Sequence, residues 1–199
     1  MSSTNAPFGM RPAFHPTGLD RAVALTDGIA SAYSTAILKG QPVKQDTSGN
    51  IIVAAAGDAF LGAFAGVEWT DTTGRRRVSN YWPASTAYVA GSCIAYFYND
   101  PNIVYEIQAD GSLAQTSIGD EANLSATTAG STTTGLSACT LSTTLAGATA
   151  QAQMRIVDLA PYVDNAWGDS YTIVRCVIAK HQYAQIYTAA NTAAYPVAI

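Results

Sequence analysis

The sequence predicts a mainly β protein: an antiparallel β-barrel or sandwich body with extended arms at both ends and little helix. Three observations carry that prediction. Runs rich in Val, Ile, Tyr, Phe and Thr recur along the chain, punctuated by Gly, Asn, Asp and Pro, which is strand-and-turn chemistry. No apolar repeat at helical spacing lasts more than a few turns. One run, 170–180, is apolar on both faces, as a strand buried from two sides must be.

Residues 1–21 read as an arm. Pro7, Pro12 and Pro16 push their predecessors toward extended geometry, with Gly9 and Gly18 between them. Phe8, Met10, Phe14 and Leu19 are apolar anchors that a disordered tag would lack, so the arm must lie on its own body or on a neighbour. The body is expected over 22–183. Residues 41–45 and 51–54 flank Thr47-Ser48-Gly49-Asn50 as a first hairpin. In the apolar run 60–70, Gly62 and Gly66 signal a bulge, a bend or a close backbone approach. Asp71-Thr72-Thr73-Gly74 joins 67–70 to 75–82 in a second hairpin, and a third is expected between 92–98 and 103–108 across Asn99-Asp100-Pro101-Asn102.

Residues 112–119 suit a short helical turn that Gly119 ends. The stretch 125–150 carries no charge and is almost all Ala, Ser, Thr, Gly and Leu. It reads as a linker or as strands in a surface loop region, with Leu136, Leu141 and Leu145 favouring partial order. Alternation resumes over 151–159, where Met154 and Ile156 face one way and Arg155 and Val157 the other. In 170–180, Thr172, Val174, Cys176 and Ile178 line one face while Tyr171, Ile173, Arg175 and Val177 line the opposite one. Residues 184–199 read as a second arm.

Composition narrows the function. Of 199 residues only 12% are charged, against about 25% in an average soluble domain. A hydrophobic share of 48% argues against disorder. The longest apolar run, 51–56, falls far short of the roughly 18 residues of a membrane-spanning helix. A net charge of -4 argues against nucleic acid as the partner. Cys93, Cys139 and Cys176 are odd in number and form no C-x-x-C, so buried free thiols are expected rather than disulfides or a zinc site. No basic-then-apolar leader opens the chain, and synthesis in the cytoplasm is the expectation.

Candidate chemistry is sparse. The two histidines, His15 and His181, stand in no nucleophile or metalloprotease motif, and packing or hydrogen bonding is their expected role. The oxygen-rich stretch 164–169 lacks the ligand spacing of a calcium loop and reads as a turn into the following strand. Arg75, Arg76 and Arg77 form the one charge run. On a strand Arg75 and Arg77 share a face, and the guanidinium groups are expected to meet carboxylates within the protein or on a partner. Trp69, Trp82 and Trp167 leave open a carbohydrate-binding, adhesin-like module. No catalytic residue, cofactor or metal is expected, and the chain does not read as an enzyme.

Several segments together carry a resemblance. Asn5-Ala6-Pro7-Phe8-Gly9-Met10-Arg11-Pro12 is similar to an opening found in structural proteins of tailed bacteriophages, and Ile37-Leu38-Lys39-Gly40-Gln41-Pro42-Val43 resembles a strand entry of head decoration proteins. The stretch 62–67 with the following Thr-Gly-Arg-Arg hairpin, Tyr105-Glu106-Ile107-Gln108-Ala109-Asp110, Ile118-Gly119-Asp120 and His181-Gln182-Tyr183 extend the likeness over most of the chain, most weakly over 125–150. The resemblance implies a capsid decoration or cement protein, mostly β, on the capsid exterior of the virion. Its implied partners are the major capsid protein and its own copies, a trimer favoured and a dimer possible, with no direct nucleic acid and no membrane. Other β-rich virion parts (tail tube, neck or head fibre) are the alternative. In the implied role Phe8, Met10, Arg11 and Phe14 anchor on the shell or on an adjacent copy. Arg75, Arg76 and Arg77 supply ion pairs, and the strand bearing Tyr171, Ile173, Arg175 and Val177 is the body's centre or the oligomer seam.

Overall fold

The computed structural model describes residues 2–18, 21–147 and 150–184. Leu19 and the second arm beyond Ala184 lie outside the described residues. The first half of the chain gives β1 (Arg11–Phe14), β2 (Val23–Thr26), β3 (Pro42–Gln45), β4 (Ile51–Val53), β5 (Gly62–Thr70), β6 (Arg76–Ser79) and β7 (Ile94–Phe97). The second half gives β8 (Val104–Gln108), β9 (Glu121–Ser125), β10 (Gly130–Ser131), β11 (Leu136–Ser137), β12 (Thr140–Leu145), β13 (Met154–Leu159) and β14 (Ile173–Ile178). The one helical element among the described residues is a 3-10 turn, Gln115–Ser117.

The described strands pair antiparallel and form two main sheets and a small ribbon. The first sheet runs β1-β8-β14-β13-β9-β12; the second runs β2-β7-β5-β3-β4, with β6 also on β5; β10 and β11 pair with each other. Neither sheet closes on itself, so of the two expected bodies the open, sandwich-like one is observed.

Two apolar clusters account for the strand pattern. Tyr105, Ile107, Met154, Ile156, Val174 and Cys176 from the first sheet gather with Phe60 and Ala63, at and just before the start of β5. On the other side of β5, Phe64, Val67, Trp69 and Phe97 pack with Ile29, Ile37 and Trp82. One strand can serve both clusters because its register shifts between Phe64 and Gly66, and a bulge reverses which face the odd-numbered residues take. Fully burying each of these large side chains contributes roughly 1.5–3 kcal/mol. Gly62 bears out the expected close approach: a Cβ there would collide with the Tyr98 carbonyl oxygen.

The first two hairpins form as expected, β3 with β4 and β5 with β6. The third does not. β7 pairs with β2 and β5, while β8 pairs with β1 and β14, so the turn at 99–102 carries the chain from one sheet to the other. The turn chemistry is present, with Asp100 accepting from the Asn102 N–H at 2.8 Å, but a reversal alone does not dictate which neighbour a strand takes. In the uncharged stretch 125–150, β10, β11 and β12 are ordered strands, and Leu141 is fully buried.

The arm lies on its own body. β1 is an edge strand on β8, where Pro12, which has no N–H to give, is tolerated. Met10 is buried in the first cluster, so it is a core residue and not the shell contact expected of it. Gly9, at φ +74°, lets the chain press against the 38–41 segment, and the Met10 N–H donates to the Gly40 carbonyl at 2.8 Å. At the start, Ser2 donates its hydroxyl to Asp169, and its carbonyl accepts from the Tyr171 N–H at 2.7 Å.

Side-chain amides complete the ladders where strands end. Gln153 accepts from the Leu124 N–H at 2.9 Å and donates to the carbonyls of Ala55 at 3.0 Å and Asp58 at 2.9 Å. Gln108 holds the arm, accepting from the Ala6 N–H and donating to the Thr4 carbonyl, both at 3.0 Å. Gln41, Gln182 and Asn165 bridge backbone donors and acceptors in the same way. Replacing Gln153 by Leu keeps the volume but strands three backbone groups. The expected loss is about 2–5 kcal/mol of unfolding free energy, read by denaturant titration; a loss within the usual scatter of surface substitutions would remove the amide from this role.

Candidate functional site

The most elaborate polar arrangement sits on the outward face of the first sheet. Strand register places Glu106 of β8 directly opposite Arg11 of β1 on one side and Arg175 of β14 on the other. The glutamate is 6% exposed. Its carboxylate accepts from Arg11 Nη2 at 2.6 Å, from Arg175 Nε at 3.3 Å and from the Tyr162 hydroxyl. Both cations are also stacked: the Arg11 guanidinium lies 4.8 Å from the Phe8 ring centroid and 5.6 Å from that of Tyr162, and that of Arg175 lies 5.4 Å from Phe14. Two guanidinium groups on one carboxylate leave a surplus positive charge. Arg11, with half of its side chain exposed, turns part of it to solvent.

Phe8 and Arg11 also line both of two neighbouring cavities. One, about 340 Å³, is bounded by Ala6, Gln108, Tyr162 and Ile173; the other, about 220 Å³, by Met10, Lys39, Phe64, Tyr98 and Leu136. The first lies within the ~300–1,000 Å³ usual for ligand pockets. Apolar side chains dominate both linings, and the charged residues among them, Arg11 and Lys39, are cations.

Of the sequence-predicted residues, the structure therefore brings Phe8, Arg11, Phe14, Ile173 and Arg175 into one neighbourhood. The strand expected at the body's centre or the seam is central: the Val174 and Cys176 face lies in the core. On the opposite face Ile173 is buried, and Tyr171, Arg175 and Val177 are partly covered. The arm roofs part of this face through Phe8 and Phe14, so at those positions the cover belongs to the chain itself. Lys39, Gln108 and Tyr162 join the site from distant parts of the sequence, so no local pattern singles them out as a group. The signal for Lys39 was a lone cation in the otherwise uncharged run 37–43.

Arg75, Arg76 and Arg77 lie elsewhere, at the β5–β6 hairpin. Arg76 meets Glu68 at 2.5 Å and Arg77 meets Asp71 at 2.9 Å, which leaves the Arg75 guanidinium without a partner among the described residues. Asp71 also caps the turn by accepting from the Thr73 hydroxyl and from the N–H groups of Thr73 and Arg75. These bonds, the Thr73 hydroxyl foremost, hold its carboxyl well below the usual range. Exposed pairs of this kind add little stability; their effect is to fix the hairpin's shape.

The sugar-platform reading fails for two of its tryptophans. Trp69 and Trp82 are buried and pack edge to face at 5.5 Å, and Trp167 packs partly buried against the first cluster. No group of three or more potential metal ligands occurs among the described residues. The 164–169 stretch is a turn whose Asn165 amide ties the carbonyls of Ala160 and Ile173. No described helix is long and apolar enough to cross a membrane.

No protein-family model, curated protein or solved structure matches the chain.

The three cysteines and His181 are buried in structural roles. Burial pushes the thiols of Cys93 and Cys139 up to about 11 and about 12, and that of Cys176 upward as well. None is expected to react with a thiol reagent at pH 8 until denaturant is added, and stoichiometric labelling of the native protein would contradict that burial. Burial also lowers the His181 pKa, outweighing nearby carbonyls that favour the charged ring, while its Nδ1 accepts from the Tyr183 N–H at 3.1 Å. A folded-state pKa below the unfolded value means that this contribution is complete above about pH 6.5 and is lost as pH falls toward the folded value. The melting temperature should therefore fall between pH 7 and pH 5, and His181→Gln should flatten that slope; an unchanged slope would place the titration elsewhere.

Proposed function

We propose that this chain is a structural virion protein of a tailed bacteriophage, binding the outer surface of the head and cementing neighbouring capsomers. Its proposed partners are the major capsid protein and further copies of itself, as a trimer in preference to a dimer. The role is mechanical rather than catalytic.

The observation that carries this reading is a sparsely charged chain whose surface is set with large apolar side chains. Val163 is 103% exposed and Val78 is 76% exposed, and Phe14, Leu136 and Val157 are also in solvent. Isolated exposed apolar residues are ordinary. On a chain with so few charges they fit a surface made to pack, because interface cores are depleted of charge. The sequence idioms of phage head proteins point to the same class. Extensive sheet pairing suits a load-bearing part, since backbone ladders and the Gln108 clasp resist separation of the arm from the body.

Deleting residues 1–16 cannot isolate the arm's contacts, because it removes β1 and takes Met10 from the core. Single substitutions at exposed sites can. Purified protein added to heads that lack it should coat them to a saturating copy number at symmetry axes, as read by electron microscopy. Val78→Lys, whose ammonium faces Glu68 across the β5–β6 pair, and Val163→Asp should lower occupancy while leaving the melting temperature unchanged. Rings or filaments in place of shell decoration would overturn the reading in favour of a tail or neck part.

A further inference from the structure

We infer that the two cavities flanking Phe8 and Arg11 form one docking groove for a protein segment that carries a carboxylate beside a large apolar side chain. The groove is mostly apolar, lined by rings and aliphatic chains of Phe8, Phe64, Leu136 and Ile173. The charged groups that line it are Arg11 and Lys39, and no carboxylate of this chain is among its lining residues.

Both cations have unused capacity. Lys39 is exposed, and its ammonium has no acceptor among the described residues. Arg11 spends one nitrogen, Nη2, on Glu106, and its other guanidinium N–H groups have no described protein acceptor. The chain's other lysines are engaged, Lys44 by Asp58 at 2.7 Å and Lys180 by the Gly57 carbonyl at 2.6 Å, so an unpaired lysine beside an apolar cavity stands out. An acidic group supplied from outside completes Lys39 and Arg11, and an apolar side chain on the same segment fills the space next to them. Charge complementarity of this kind sets specificity more than raw affinity. β1 is the edge strand of its sheet, and an extended segment can run alongside it.

That the occupant is a protein segment rests on the reading of the chain as an assembly part, and the test separates the two. The 15N-labelled protein is titrated with blocked hexapeptides of alternating Leu and Glu, Leu and Lys, or Ser and Glu. The Leu–Glu peptide should shift the amides of residues 8–11, 39 and 40. Its binding should be tighter than that of the other two by about threefold, the worth of one exposed ion pair. Lys39→Glu, at an exposed position, leaves the fold intact and should reverse the preference toward the Leu–Lys peptide. Retained preference for Glu in that variant, or shifts confined to other surfaces, overturns the groove. If the groove fails while the protein still coats heads, the virion reading stands alone; if the peptide binds but no head is coated, the groove stands and the virion reading falls.

Discussion

Side-chain amides standing in for missing strand neighbours are what the rest of this structure depends on. A sheet that ends leaves backbone N–H and C=O groups without partners, and burying them unpaired is costly. Here Gln153 joins the β9 backbone to the 55–58 loop, Gln182 joins the end of the chain's described part to β3, and Gln108 joins β8 to the arm. Each amide offers one donor side and one acceptor side, as a peptide group does. A chain with few charges thus fastens loops to sheets using neutral groups, whose desolvation costs less than that of ions.

The same device shapes the surface. Because Gln108 clamps the backbone of Thr4 and Ala6, Phe8 and Arg11 are held over the outer face of the first sheet, where the Arg11–Glu106–Arg175 row crosses three strands in register. The buried carboxylate gains from two cations and a hydroxyl together, and its hydrogen bonds offset the desolvation that an isolated buried ion would suffer. Fold and surface chemistry meet in the arm, whose buried Met10 fixes its position while Arg11 beside it reaches solvent.

Much of this was legible locally. Turn residues marked the β3–β4 and β5–β6 hairpins, glycines marked the close approach at Gly62, and alternation gave the faces of β13 and β14. Pairing beyond the hairpin was not legible. The run before Asn99 and the run after Asn102 both read as strands, yet their neighbours are chosen by core packing between distant segments. The arm showed the same limit: Phe8, Met10, Arg11 and Phe14 could be recognised as anchors, but only tertiary packing separates Met10 in the core from Arg11 on the surface. The groove gathers Lys39, Gln108 and Tyr162 from far-apart positions, and no local pattern links them. The charge deficit was visible from the start; the amide fastenings that accompany it were not.

The pairing of β1 with β8 has one more consequence. Phe14 and Val104 sit opposite each other though roughly ninety residues apart, and His15 Nε2 lies 3.2 Å from Asp100 across the same neck. The second sheet is therefore an insert whose entrance and exit touch. Closing so long a loop from an open chain carries a large entropic cost, whereas an insert that has already folded delivers its two ends together. The β1–β8 pairing is thus the point at which the ends of the second sheet and the edge of the first are held by the same residues.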